Sequence, residues 1–177
     1  MKKYTFITTV LVGSAVLLMI SSFTPKKNLD VVKPFDQKKY LGKWYEIARL
    51  DYVWERNLNN VTATYSFRKD GKIKVDNKGY NIKKKKWEES VGKAKSIANS
   101  QEGALEVSFF GPFYAAYNIV AIDDAYQYAL VVGGSTKYMW ILSREKTMPE
   151  DIKKKYLEKA QSLGYNTDAL IWVKQDE

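Results

Sequence analysis

From residue 34 onward the chain alternates between short runs rich in Val, Ile, Tyr, Phe and Trp and polar, Gly-containing breaks. The runs predict strands over 42–50, 61–68, 72–80, 87–98, 104–110, 114–122, 126–132 and 138–144. Lys69-Asp70-Gly71-Lys72 and Gly133-Gly134-Ser135 carry hairpin chemistry, and 81–86 and 99–103 fill the same role. Eight successive strands joined mostly by tight turns predict an all-β fold, an antiparallel up-and-down barrel. A two-sheet sandwich has the same period and stays open at this level. After the eighth strand the period changes. Ile152, Tyr156, Leu157, Ala160 and Leu163 form one helical stripe, opened by Met148-Pro149-Glu150 and stopped by Gly164. One C-terminal helix should therefore lie with that stripe against the outside of the barrel. Residues 169–173 read as a short last strand on an edge.

Before residue 34 the pattern is of another kind. Met1-Lys2-Lys3 precedes 19 uncharged residues, 5–23, and Pro25-Lys26-Lys27 follows. A basic start, an apolar run and a polar flank read as a signal peptide or an N-terminal membrane anchor over 1–24. The expected organisation is that segment, a linker over 25–33, and a folded domain over 34–177.

Composition narrows the chemistry. The 177 residues contain neither Cys nor His. That excludes disulfides, thiolate or imidazole nucleophiles and Cys/His metal sites, and no cofactor or metal is implied. A binding protein or a carboxylate-only enzyme remains. Glu46, Glu88 and Glu106 lie in predicted strands, so a lipid hydrolase built on carboxylates is an alternative. The main expectation is no enzyme and no catalytic residue. The formal charge is +9. Lysines fill 83–86 and recur at Lys153-Lys154-Lys155, which suits an anionic membrane surface. Nucleic acid is not expected, because no aromatic side chains are interleaved with these lysines.

The sequence Phe35-Asp36-x-x-Lys39-Tyr40-Leu41-Gly42-Lys43-Trp44-Tyr45-Glu46-Ile47-Ala48-Arg49 resembles the opening motif of the lipocalins. Asn77-Lys78-Gly79-Tyr80-Asn81, Val107-Ser108-Phe109-Phe110-Gly111-Pro112-Phe113-Tyr114 and Trp140-Ile141-Leu142-Ser143-Arg144 are similar to blocks of the bacterial outer-membrane lipocalin and apolipoprotein D branch. The resemblance covers roughly residues 34 to 175. Two departures stand out: Ile122-Asp123-Asp124-Ala125-Tyr126 lacks the Thr of the family's middle motif, and there is no Cys for a lipid anchor. The resemblance implies that Arg144 stacks on Trp44 at the closed end. It also implies a hydrophobic ligand in the barrel, such as a fatty acid or lysophospholipid, and an exported protein, periplasmic or outer-membrane associated.

Strand parity then nominates a lining. Charged Lys74, Asp76 and Lys78 must face water, so Val75, Asn77 and Gly79 face in. Lys93 and Lys95 likewise turn Glu88, Ser90, Gly92 and Ala94 inward. Ala63, Tyr65 and Phe67 share a face. The resemblance places Tyr138, Trp140 and Leu142 inward, and also Tyr114, Ala116, Asn118 and Val120. Small side chains among aromatic ones should leave volume; a filled barrel acting only as a surface module is the alternative. The resemblance also implies that the loop 51–59 folds over the open end, which would make Tyr52, Val53 and Trp54 a lid and bring Arg56 to an anionic head group.

Overall fold

The computed structural model describes residues 29–97 and 101–176. The expected signal or anchor over 1–24 lies outside them. Eight strands follow one another: β1 (Gly42–Arg49), β2 (Leu58–Phe67), β3 (Ile73–Asn81), β4 (Lys86–Ser96), β5 (Ala104–Ser108), β6 (Ala115–Ile122), β7 (Tyr128–Val132) and β8 (Met139–Ser143). Each pairs antiparallel with its successor, and β8 returns to pair with β1. The sheet is closed, so the sandwich alternative falls away. Closure leaves no row of unpaired backbone groups among these strands.

Strand limits differ from the sequence reading where turns intrude. β2 begins at Leu58, earlier than its apolar run. β7 begins at Tyr128, because Asp123 accepts hydrogen bonds from the backbone of Ala125, Gln127 and Tyr128 and ties 123–127 into a turn. The last strand, β9 (Ile171–Trp172), pairs with Ala48 and Arg49. That is the stretch of β1 that has already parted from β2, whose pairing ends at Tyr45.

A four-residue helix, α1 (Gln37–Tyr40), plugs the closed end. Asp36 caps it by accepting from the backbone of Lys38 and Lys39. Its last residue, Tyr40, accepts the Trp44 indole N–H at its carbonyl, 2.8 Å away. The Arg144 guanidinium lies 3.8 Å from the Trp44 ring centroid. It also donates to the carbonyls of Lys39, Leu41, Lys43 and Tyr126. Gly42 sits at φ +95°, and a Cβ there would stand 3.3 Å from Arg144 Nη1. The turn into β1 thus needs glycine for both backbone and space.

Apolar residues separate into two layers. One fills the closed half of the barrel interior, with Trp44, Tyr65, Ile73, Leu105, Ile119 and Val131. The other lies outside, where Val120, Leu130, Val132, Met139 and Ile141 meet helix α2 (Glu150–Ser162). The helix brings Tyr156 and Ala160 to that layer, as its stripe predicts. Pro149 starts it, acids occupy its first turn, and Gly164 at φ +84° ends it. Of the expected linker, the described part runs against the barrel. Val32 donates to the Ile119 carbonyl and accepts from Gly103, and Leu29 packs on the outer layer.

Candidate ligand-binding cavity

The half of the barrel away from α1 is not filled. It holds a cavity of about 720 Å³, within the roughly 300–1,000 Å³ typical of small-molecule sites. The filled-barrel alternative therefore does not describe this interior. Tyr65, Ala94, Leu105, Tyr117 and Leu142 border its lower part. Val61, Ala63, Val75, Asn77 and Val107 border its wall. Tyr52, Trp54, Phe110, Phe113 and Tyr138, from three loops, border its mouth.

At the floor three phenols meet. The Tyr117 hydroxyl lies 2.7 Å from that of Tyr40 and 2.8 Å from that of Tyr65. Burial raises all three hydroxyls well above the usual tyrosine range. They stay neutral and satisfy one another, so the floor is apolar in effect. In the wall, Asn77 Oδ1 is buried with no hydrogen-bond partner.

The side of the cavity toward β1 is ionic. A register shift in the β1–β8 pairing between Glu46 and Ala48 inserts Ile47. Strict alternation would put Glu46 and Arg49 on opposite faces; the bulge turns both inward. Arg49 Nη1 donates to Glu46 Oε1 at 2.6 Å, and Nη2 donates to the carbonyls of Glu55 and Leu58. Glu55, in the 3₁₀ turn Val53–Glu55, accepts the Trp140 indole N–H at Oε2, 3.0 Å away. Glu46 and Glu55 both border the cavity. Burial pushes the Glu46 carboxyl up to about 8; the charge of Glu55 adds to the rise and Arg49 opposes it. Burial also raises Glu55, against the pull of the Trp140 hydrogen bond and Arg49.

The nominated residues fall into three groups. Tyr65, Asn77, Gly79, Ser90, Tyr138, Trp140 and Trp54 border the cavity. Gly79 contributes no volume, however. A Cβ there would meet Leu58 Cδ1 at 3.1 Å and Val61 Cγ2 at 3.2 Å, so those side chains already use the space. The β6 assignment is corrected. Tyr117 and Ile119 pack with the inner layer and Val120 with the outer one, so Asn118 shares the outward parity of Val120 and does not border the cavity. Tyr114 and Ala116 touch the cavity border, but from that outward side. The Tyr114 ring lies under the Lys93 and Lys95 ammonium groups, and Ala116 pairs with Glu106, which Lys95 holds outside. Arg56 is corrected as well. It makes a bidentate contact with Asp51 in the exposed loop and does not border the cavity.

The lid is only partly as expected. Tyr52 packs edge-on against Tyr138 and Trp140. Trp54 is 68% exposed and leans on Phe110 across the mouth, ring centroids 5.9 Å apart. Nothing in the sequence pattern marks the partners of Glu46: the bulge hides the facing of Arg49, and Glu55 is one acid within the loop. Tyr117 lies on the β6 face opposite to the one the resemblance placed inward. The remaining carboxylates do not join Glu46 as a pair: Glu88 is bound by Lys84 and Asn81, and Glu106 lies outside.

A closed antiparallel barrel with a floor of paired phenols, a mostly apolar wall with one ionic side, and an aromatic mouth defines a protein that holds a small hydrophobic molecule. The model of the lipocalin-like domain matches residues 35–175, and the chain belongs to that family. Outer membrane lipoprotein Blc of Citrobacter freundii is 51% identical over 155 residues, 88% of this chain and 88% of that protein. Apolipoprotein D of Rattus norvegicus is 35% identical over 128 residues, 68% of this chain and 67% of its own. Insecticyanin from the tobacco hornworm Manduca sexta shares the fold, with a TM-score of 0.69, 21% identity, and coverage of 85% of this chain and 86% of that one.

Proposed function

We propose that this protein binds and carries a single-chain lipid, a fatty acid or a lysophospholipid, and exchanges it at a membrane surface. The observation that carries the reading is the cavity of about 720 Å³ with an apolar floor inside a closed barrel. An acyl chain laid from Trp140 down to Leu105 and Tyr117 would lose its water, at about 0.8 kcal/mol per buried methylene. The polar end would stay near the mouth, where Lys78, Lys86, Ser90 and Tyr138 border the opening. No catalytic role is assigned. In this reading Glu46 is held by Arg49, and Glu55 accepts the Trp140 indole N–H.

Relatives named outer membrane lipoprotein support an exported protein associated with the outer membrane. Residues 5–23 would serve as its signal, or as its anchor if uncleaved. With no Cys in the sequence, a thioether-linked lipid has no acceptor here.

Native mass spectrometry of the purified full chain tests the reading. A retained mass matching a single-chain lipid is expected, displaced by added fatty acid or lysophospholipid. A chain that emerges bare and takes up neither when offered would overturn it.

A further inference from the structure

The ionic side of the cavity has an uneven charge count. Two carboxylates, Glu46 and Glu55, face one guanidinium, Arg49. Arg49 reaches Glu46 through a single oxygen and meets Glu55 only at its backbone carbonyl. Trp140, a neutral donor, supplies the contact to the Glu55 side chain. The groups that act electrostatically on Glu46 are Glu55 and Arg49, and on Glu55, Arg49. The nearby Tyr52 and Tyr65 hydroxyls are neutral, and both feel Glu55 as a raising influence. Lys78 and Lys86 also border the cavity, but Lys78 is tied to Glu89 at the surface and Lys86 is exposed on the turn into β4. With both carboxylates ionised the cluster is one negative charge out of balance in a low-dielectric wall.

Something positive must restore the balance. In the protein alone it is a proton on Glu46, whose carboxyl is pushed up first by burial and further by the charge of Glu55. A ligand could supply the same charge with an ammonium group, donating N–H bonds to carboxylate oxygens that Arg49 and Trp140 leave open to the cavity. A carboxylate brought to the same place would make the imbalance worse.

We infer that Glu46 and Glu55 form a subsite for the ammonium end of an amine-bearing single-chain amphiphile. The inference rests on the proposed lipid-binding function and narrows its ligand class: amine-bearing chains are preferred and free fatty acids are not. The exchange balances. One ammonium enters, one proton leaves Glu46 to solvent, and the buried cluster stays neutral throughout.

The probes are decylamine, decanol and decanoate, titrated calorimetrically into the full chain in detergent-free buffer. All three carry the same chain and differ only at the polar end. Decylamine should bind at least about tenfold more tightly than decanol at pH 7.5, since charge-assisted hydrogen bonds are about twice as strong as neutral ones. Its affinity should rise about tenfold per pH unit from 6 to 7.5, because each complex releases a proton. Two buffers of different ionisation enthalpy should report that proton directly. Decanol should show neither effect. Glu46→Gln and, separately, Glu55→Gln should shrink the ratio of amine to alcohol affinity. Equal affinity for amine and alcohol, tightest binding of decanoate, or amine binding without proton release would each overturn the subsite. Those results with intact decanol binding leave the lipid-carrier reading standing. Failure of all three probes to bind removes both.

Discussion

Arg144 shows how much one side chain can hold at the closed end. It stacks on Trp44 and gathers carbonyls from α1, β1 and the β6–β7 turn. Arg144→Ala should destabilise the protein by about 2–4 kcal/mol, combining the lost cation–π contact with several charged hydrogen bonds. Arg144→Lys should recover little, since an ammonium cannot serve both a ring face and a fan of carbonyls. Urea denaturation would measure both; a full rescue by Lys would count against the role assigned to the guanidinium plane. Glu46 makes a different prediction. Its folded-state value of about 8 lies above its ordinary 4.5. Between these the folded protein holds a proton that the unfolded chain has lost, so stability falls as pH rises from about 5 to 8. Glu55 shifts in the same direction. Asp51, Asp70, Glu88 and Asp176 are lowered, so their contribution is lost only as pH falls through the acid range below about 5. The thermal midpoint should therefore drop between pH 5 and 8, and Glu46→Gln should flatten that slope. An unchanged slope in the variant would place the titration elsewhere.

At the level of strands and helices, alternation told the truth wherever one face had to be wet. Lys74, Asp76 and Lys78 fixed the sense of β3, and Lys93 and Lys95 that of β4; Asn77 and Ser90 accordingly border the cavity. β6 offered no such contrast. Its outer side is also covered by apolar contacts, since Val120 packs in the layer under α2, so both faces read as buried. The β1 bulge was equally unreadable. One inserted residue, Ile47, changes the facing of Arg49 and leaves no compositional mark. The helix was legible because its stripe and its stop signals agree. Its attachment predicts a separation of stability from binding. Tyr156 donates to the Tyr128 carbonyl at 2.9 Å, and Ala160 is fully buried against the barrel wall. Tyr156→Phe should cost about 1 kcal/mol, and Ala160→Leu about 1–3 kcal/mol through overpacking. Both act outside the barrel, so lipid affinity measured well below the melting range should change little in either. A large loss of affinity would mean that the outer layer sets the shape of the cavity.

Across the whole molecule, the two ends of the barrel have opposite characters. The closed end is sealed by α1 and Arg144; the open end leaves Trp54, Phe110 and Phe113 at 68%, 66% and 78% exposure. The lysines of 83–86 sit on the β3–β4 turn at that same end, with only Lys84 drawn to Glu88. Aromatic side chains beside lysines are the pattern that settles at the boundary between lipid head groups and acyl chains. An apolar rim with a cationic turn beside a lipid-sized cavity would place the mouth against the source of its cargo, so the chain need not cross water. Each lysine near an anionic surface contributes about 1 kcal/mol. Replacing Lys83, Lys85 and Lys86 together with Gln should then weaken binding to vesicles rich in phosphatidylglycerol by tens to a hundredfold. The wild-type protein should lose the same binding as salt is raised, because the attraction is screened within a Debye length. Trp54 emission should shift to the blue on anionic vesicles and not on neutral ones. If the triple variant binds like wild type, or if neutral and anionic vesicles are indistinguishable, the lysine turn has no part in docking. Ligand exchange would then have to proceed through free solution.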